Sequence, residues 1–173
     1  MKKTIYNTIL ICIFSLTAHS QITEGNWMVG GMGDYINETT TFDNGTKLKY
    51  EVITVKPNIG YFIKDKFAVG ISLRFYNHIN AYRYGVGLFT RYYFLETEKV
   101  FNLFTQIHYD YVTNILDGAT NTQFFGVKIG QVVFFNSSVS LEFAFEYEKG
   151  ILLNASSDAF KAVIGFQIHL ERK

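Results

Sequence analysis

From about residue 50 onward, the chain is built from segments in which every second residue is apolar and uncharged. One register runs Ile53-Val55-Pro57-Ile59-Tyr61-Ile63, the next Val69-Ile71-Leu73-Phe75, the next Tyr84-Val86-Leu88-Thr90-Tyr92-Phe94. The pattern continues through Phe101-Leu103-Thr105-Ile107-Tyr109-Tyr111, Phe125-Val127-Ile129-Gln131-Val133, Val139-Leu141-Phe143-Phe145-Tyr147 and Phe160-Ala162-Ile164-Phe166-Ile168-Leu170. None of these positions holds Asp, Glu, Lys or Arg, although charged residues make up 18% of the chain. The charges fall on the interleaved positions: Lys56, Arg74, Arg91, Asp110, Lys128, Glu142, Glu146, Glu148 and Lys161. A period of two means strands with two unlike faces. An uncharged face repeated over seven strands, opposite a charged one, suits a closed barrel with lipid outside and a polar lumen.

Strand length supports the same reading. Strands are expected at 25–36, 49–63, 67–77, 83–95, 101–113, 123–134, 139–149 and 158–170. Their even number fits a single-chain transmembrane barrel. A tilted membrane strand needs about 9–11 residues in the bilayer, whereas strands of globular proteins are usually about 5–6 long. The expected fold is therefore all-β: an eight-stranded antiparallel up-and-down transmembrane barrel, over residues 21–173.

A cleavable signal peptide is expected over residues 1–20. Lys2 and Lys3 precede an apolar run from Ile9 to Leu16, and Ala18-His19-Ser20 places small residues before Gln21. The run is too short to span a bilayer as a helix, which takes about 20 residues. Cys12, the only cysteine, lies inside this leader, so no disulfide or cysteine-based site is expected in the mature chain. Loss of Lys2 and Lys3 takes the net charge from +1 to −1, which gives no electrostatic reason to expect nucleic acid.

The connections alternate. Residues 64–66, 95–100 and 135–138 are short or tightly polar and are read as periplasmic turns. Residues 37–48, 78–82, 114–122 and 150–157 are read as outer loops, with a possible tight turn at Asn44-Gly45. Aromatic residues cluster at both strand ends, as rings do at lipid–water interfaces. The expected girdles include Tyr61, Phe62, Tyr92, Tyr93, Phe94 and Phe134 on one side and Tyr35, Tyr84, Tyr111, Phe124 and Tyr147 on the other.

The first strand alternates more weakly, with Trp27, Val29, Gly31, Gly33 and Tyr35 outward and Met28, Gly30, Met32 and Asp34 inward. Asp34 brings the expected lumen charges to five of each sign. An eight-stranded barrel is only wide enough for its own side chains, so these charges must pair. Arg74 is expected to pair with a glutamate of strand seven, and Arg74 and Glu142 are both read as mid-barrel. Arg91 and Lys128 are placed nearer the periplasmic end.

Catalysis finds little support. Only His78 lies near the outer rim, and no G-x-S-x-G elbow accompanies it. His108 and Asp110 share one inner face, but no nucleophile is in view. No three convergent metal ligands are evident, and no cofactor is expected.

The chain resembles the small outer-membrane β-barrel family with OmpA- and OmpX-like folds. Gly25-Asn26-Trp27, Lys56-Pro57-Asn58-Ile59-Gly60-Tyr61-Phe62-Ile63, Phe67-Ala68-Val69-Gly70-Ile71-Ser72-Leu73 and Arg91-Tyr92-Tyr93-Phe94 carry the resemblance. It spans residues 25–170. The usual terminal aromatic has no counterpart in Ile168-His169-Leu170-Glu171-Arg172-Lys173, where Phe166 is the last aromatic. The resemblance implies a fold and an outer-membrane location rather than an activity. Lipids and the barrel-insertion machinery are the expected partners, the external partner is unspecified, and a monomer is expected. A non-enzymatic surface or envelope role stands first. A small porin or transport accessory, a lipid-modifying barrel enzyme and a soluble lipocalin-like binder are the alternatives.

Overall fold

A computed structural model describes residues 22–41, 47–78, 81–113, 121–152 and 155–171. The leader, the Asn44-Gly45 turn and parts of the expected outer loops fall outside them. Eight strands form one closed antiparallel barrel in chain order. They are β1 (Trp27–Thr41), β2 (Lys47–Lys64), β3 (Phe67–His78), β4 (Ala81–Tyr93), β5 (Phe101–Thr113), β6 (Thr122–Phe134), β7 (Val139–Leu152) and β8 (Ala155–Leu170). Closure pairs the first and last strands and leaves the sheet without a free edge at its base.

The sides of the strands are those that alternation requires. None of the apolar positions set out above is buried, and all nine interleaved charges are. Large apolar side chains such as Ile71, Leu88, Ile107, Ile129 and Phe145 stand more than half exposed on the outside. A water-soluble monomer does not carry a continuous apolar belt of this kind. In a bilayer the arrangement is favourable, because every lipid-facing backbone group is paired within a closed sheet.

The shear of the barrel decides which inward residues meet. Stepping across hydrogen-bonded neighbours from Met28 leads through Gly60, Gly70, Phe89, His108, Gly126 and Glu148 to Ala159. Met28 itself pairs with His169, ten residues further along β8. A stagger of that size over eight strands tilts them by about 40°. Residues at equal distance from their own turns therefore lie at different heights.

Three features differ from the sequence-based expectation. The β1–β2 and β7–β8 ladders run on to Thr41–Lys47 and Leu152–Ala155, so segments read as loops are partly strand. Threonine-rich stretches such as Thr39-Thr40-Thr41 suit a strand, and an antiparallel ladder can continue past the bilayer. Phe62, Tyr93 and Phe134 are not part of a lipid-facing girdle. They are buried inside with Ile22, Met28, Phe104 and Val132, forming an apolar floor at the end that carries the β2–β3, β4–β5 and β6–β7 turns. Phe124, also placed in a girdle, has inward parity. The segment before β1 seals the floor. Lys66 N donates to Ile22 O at 2.8 Å, Gly25 N to Phe62 O at 2.9 Å, and Glu24 N to Asp65 Oδ1 at 2.8 Å.

Closure also depends on one close backbone approach. A Cβ at Gly30 would run into the Phe166 carbonyl oxygen across the β1–β8 seam, where only glycine fits. Gly30→Ala should therefore destabilise the barrel by about 1–3 kcal/mol, the usual range for overpacking. Urea titration of vesicle-folded protein checks this, and wild-type stability in the variant would refute the strain.

Candidate functional site

The lumen concentrates the chemistry-bearing side chains. Its larger cluster gathers residues from every strand except β4. Arg74 Nη1 and Nη2 donate to the two carboxylate oxygens of Glu148 at 2.7 and 2.8 Å, a two-pronged pairing that fixes both groups. Arg74 Nη1 also reaches Asp110 Oδ2 at 3.2 Å, and its guanidinium lies 3.9 Å from the centre of the Phe124 ring. Lys56 Nζ sits among three carboxylates, 2.9 Å from Glu148 Oε2, 3.0 Å from Glu146 Oε1 and 3.1 Å from Asp110 Oδ2. Lys161 bridges Glu148 at 3.2 Å and Asp34 at 3.5 Å, and Lys128 lies 3.3 Å from Glu146. Asp110 also accepts a hydrogen bond from Ser72 Oγ at 3.3 Å.

A second, smaller cluster lies just above the floor. Arg91 Nη1 donates to Glu142 Oε1 at 2.6 Å and to Tyr93 Oη at 3.1 Å, and its Nε donates to Gln106 Oε1 at 2.8 Å. Its guanidinium also lies 4.5 Å from the Phe104 ring centre. Arg91 and Glu142 are wholly buried.

Sequence reasoning expected Arg74 to pair with a strand-seven glutamate, and it read Glu142, like Arg74, as mid-barrel. The structure puts Glu142 with Arg91 near the floor, and Glu148 takes the position facing Arg74. Shear is the reason. Glu142 pairs with Val132 and Gly165 across its ladders, well below the Gly126–Glu148–Ala159 row. Lys128, placed low by counting, instead joins the larger cluster through Glu146. Arg83 was missed. It shares inward parity with Gly85 and Gly87, but it opened its expected strand and was left out of the lumen set.

Two chemical possibilities arise from the assembled side chains. His108, Asp110 and Glu148 bring ligand-type atoms within 4.8 Å of one another, a convergence not evident from sequence because Glu148 comes from β7. Lys56 occupies that centre, its ammonium also lying 3.4 Å from His108 Nε2. The carboxylates are thus engaged by the protein's own cations, and the donor set does not suit a resident metal. Ser140 Oγ lies 3.5 Å from His169 Nε2, but both are wholly buried in the floor, where a substrate does not reach. The side chain of His78 lies outside the description.

The lumen is filled. A cavity of about 10 Å³ remains among Met32, Lys56, Asn58, Ser72, Gln106, His108, Asp110 and Lys128, about the space of one water molecule. A closed, sheared eight-stranded barrel with a charge-paired core and an apolar exterior defines the class: the fold of small outer-membrane β-barrels. No protein-family model and no curated protein matches the sequence.

Solved structures do match in fold. The N-terminal β-barrel domain of Pseudomonas aeruginosa OprF superposes with a TM-score of 0.57 at 12% identity, covering 85% of this chain and 98% of that one. Neisserial surface protein A gives 0.57 at 14% identity, covering 86% and 98%. The outer membrane protein OprG of Pseudomonas aeruginosa gives 0.54 at 14% identity, covering 91% and 100%. At these identities the likeness concerns the fold.

Proposed function

We propose that the chain is an integral outer-membrane protein, exported through its leader and inserted by the barrel-insertion machinery. Its role is non-enzymatic: a rigid barrel that holds its outer hairpins at the cell surface for surface interaction or envelope integrity. The observation that carries this reading is the inside-out distribution of polarity. Ion pairs fill the core, and the apolar belt faces outward between aromatic ends, with Trp27, Tyr61 and Tyr92 at one end and Tyr35, Tyr84 and Tyr147 at the other. The filled lumen and the floor over its lower end weigh against a pore. Among the described residues, the paired charges likewise engage the carboxylates and the His108 imidazole of the core with one another.

Cell fractionation followed by gel migration with and without boiling tests the reading. Recovery in the outer membrane with a heat-dependent shift is expected, together with no steady current in planar bilayers. A soluble periplasmic protein would sink it, and a steady current would replace it with the pore reading.

A further inference from the structure

We propose that the outer mouth of the barrel contains an anion-binding site built on Arg83, suited to a phosphate or carboxylate carried on an apolar body. The first support is the balance of charge on the inner face. Lys56, Arg74, Arg91, Lys128 and Lys161 each lie within ion-pairing distance of a carboxylate. Among the described residues Arg83 has no such partner. Its Nε is buried and donates to nothing. A buried, unpaired donor of a charged group is costly, more so than a neutral one, and an incoming anion removes that cost.

The second support is independent of Arg83. Thr122, only 2% exposed, places a buried hydroxyl without a partner at the same end of the barrel. Val112 pairs with both Gly85 on β4 and Thr122 on β6, so the hydroxyl sits two strands from Arg83's own strand and near its level. The other described inward side chains of this mouth are chiefly Val52, Tyr76, Val112 and Phe124, and none is a carboxylate. Arg74 lies below them, committed to Glu148 and Asp110. The described inward side chains of the mouth are therefore apolar and aromatic, around a guanidinium with no carboxylate partner and a hydroxyl with no hydrogen-bond partner. A guanidinium fork matches the paired oxygens of a phosphate or carboxylate, and the apolar and aromatic side chains beside it suit an attached ring or short chain.

Phenyl phosphate is the probe, titrated by calorimetry into the full barrel in phosphatidylcholine nanodiscs, with empty nanodiscs as reference. Saturable binding that weakens with added salt is expected. Arg83→Gln should weaken it by about tenfold or more, which corresponds to about 1.4 kcal/mol. Thr122→Val should weaken it less, and Arg83→Lys should retain part of it. Inorganic phosphate should bind more weakly than phenyl phosphate. The heat-dependent gel shift shows that each variant is folded. Binding undiminished in folded Arg83→Gln, phenol binding as tightly as phenyl phosphate, or no saturation at tens of millimolar would each overturn the site.

Discussion

Arg91→Met lowers the stability of the folded barrel by about 3–5 kcal/mol, the cost of leaving one member of a buried ion pair alone. Glu142 is then a wholly buried carboxylate whose one close cation is gone. Its second oxygen, Oε2, has no hydrogen-bond partner even in the native chain. Arg91 leaves further debts, because Gln106 Oε1 and Tyr93 Oη each lose a donor. The double variant Arg91→Met/Glu142→Met should recover most of the loss, since replacing a whole buried pair by apolar groups of similar size is often neutral or stabilising. Urea-dependent unfolding from vesicles, run on both single variants and the double, measures the coupling. If the double variant were as unstable as the sum of the singles, the pair would not be the unit that matters. The cluster would then act through Gln106, Tyr93 and the Phe104 ring.

Much of the fold was legible because one physical contrast fixes each strand. Lipid rejects charge and a narrow lumen demands that charge be paired, so the position of Lys56 or Glu146 within a strand reveals which face is which. The reading weakened wherever a residue type is welcome on both faces. Phenylalanine and tyrosine suit the membrane interface and also suit a dry floor. Phe62, Tyr93 and Phe134 were therefore grouped with outward neighbours although their parity points inward. The hairpin extensions were hidden for a related reason. Asn, Thr and Ser are common in loops, and above the bilayer a strand no longer needs an apolar face.

The lumen partners were legible as a set and illegible as pairs. Which carboxylate meets Arg74 depends on the offset between β3 and β7, and the barrel-wide stagger of ten that sets it leaves no mark in either strand. Counting from the turns treats the strands as upright and so brings Glu142 level with Arg74. With the tilt included, Glu148 rises to face Arg74, and Glu142 falls to Arg91. The same tilt brings His108 and Asp110 of β5 and Glu148 of β7 into one cage around Lys56. A single ammonium serving three carboxylates is a compact way to hold β2, β5 and β7 together inside a narrow tube. The charges thus do for this barrel what an apolar core does for a soluble sheet protein.

The apolar exterior makes the opposite demand, and Ile71 tests it. The side chain is 56% exposed on the outer face of β3, paired with Ile59 and Leu88 on either side. Its strand begins at Phe67 in one aromatic zone and reaches Phe75 in the other, so Ile71 falls midway between them. Arginine there must reach through hydrocarbon to water, and Ile71→Arg should cost about 2–4 kcal/mol. The same change at Phe94, at the floor end of the belt, should cost only about 0–1 kcal/mol, because the guanidinium already lies at the interface. Refolding into vesicles over a urea series gives both values. The depth dependence is the decisive quantity. If the two substitutions cost the same, the belt does not face a bilayer. If Ile71→Arg raises solubility in the absence of lipid with no loss of stability, the belt faces water. A graded cost would show that the surface is solvated by lipid, as charge inside and isoleucine outside require.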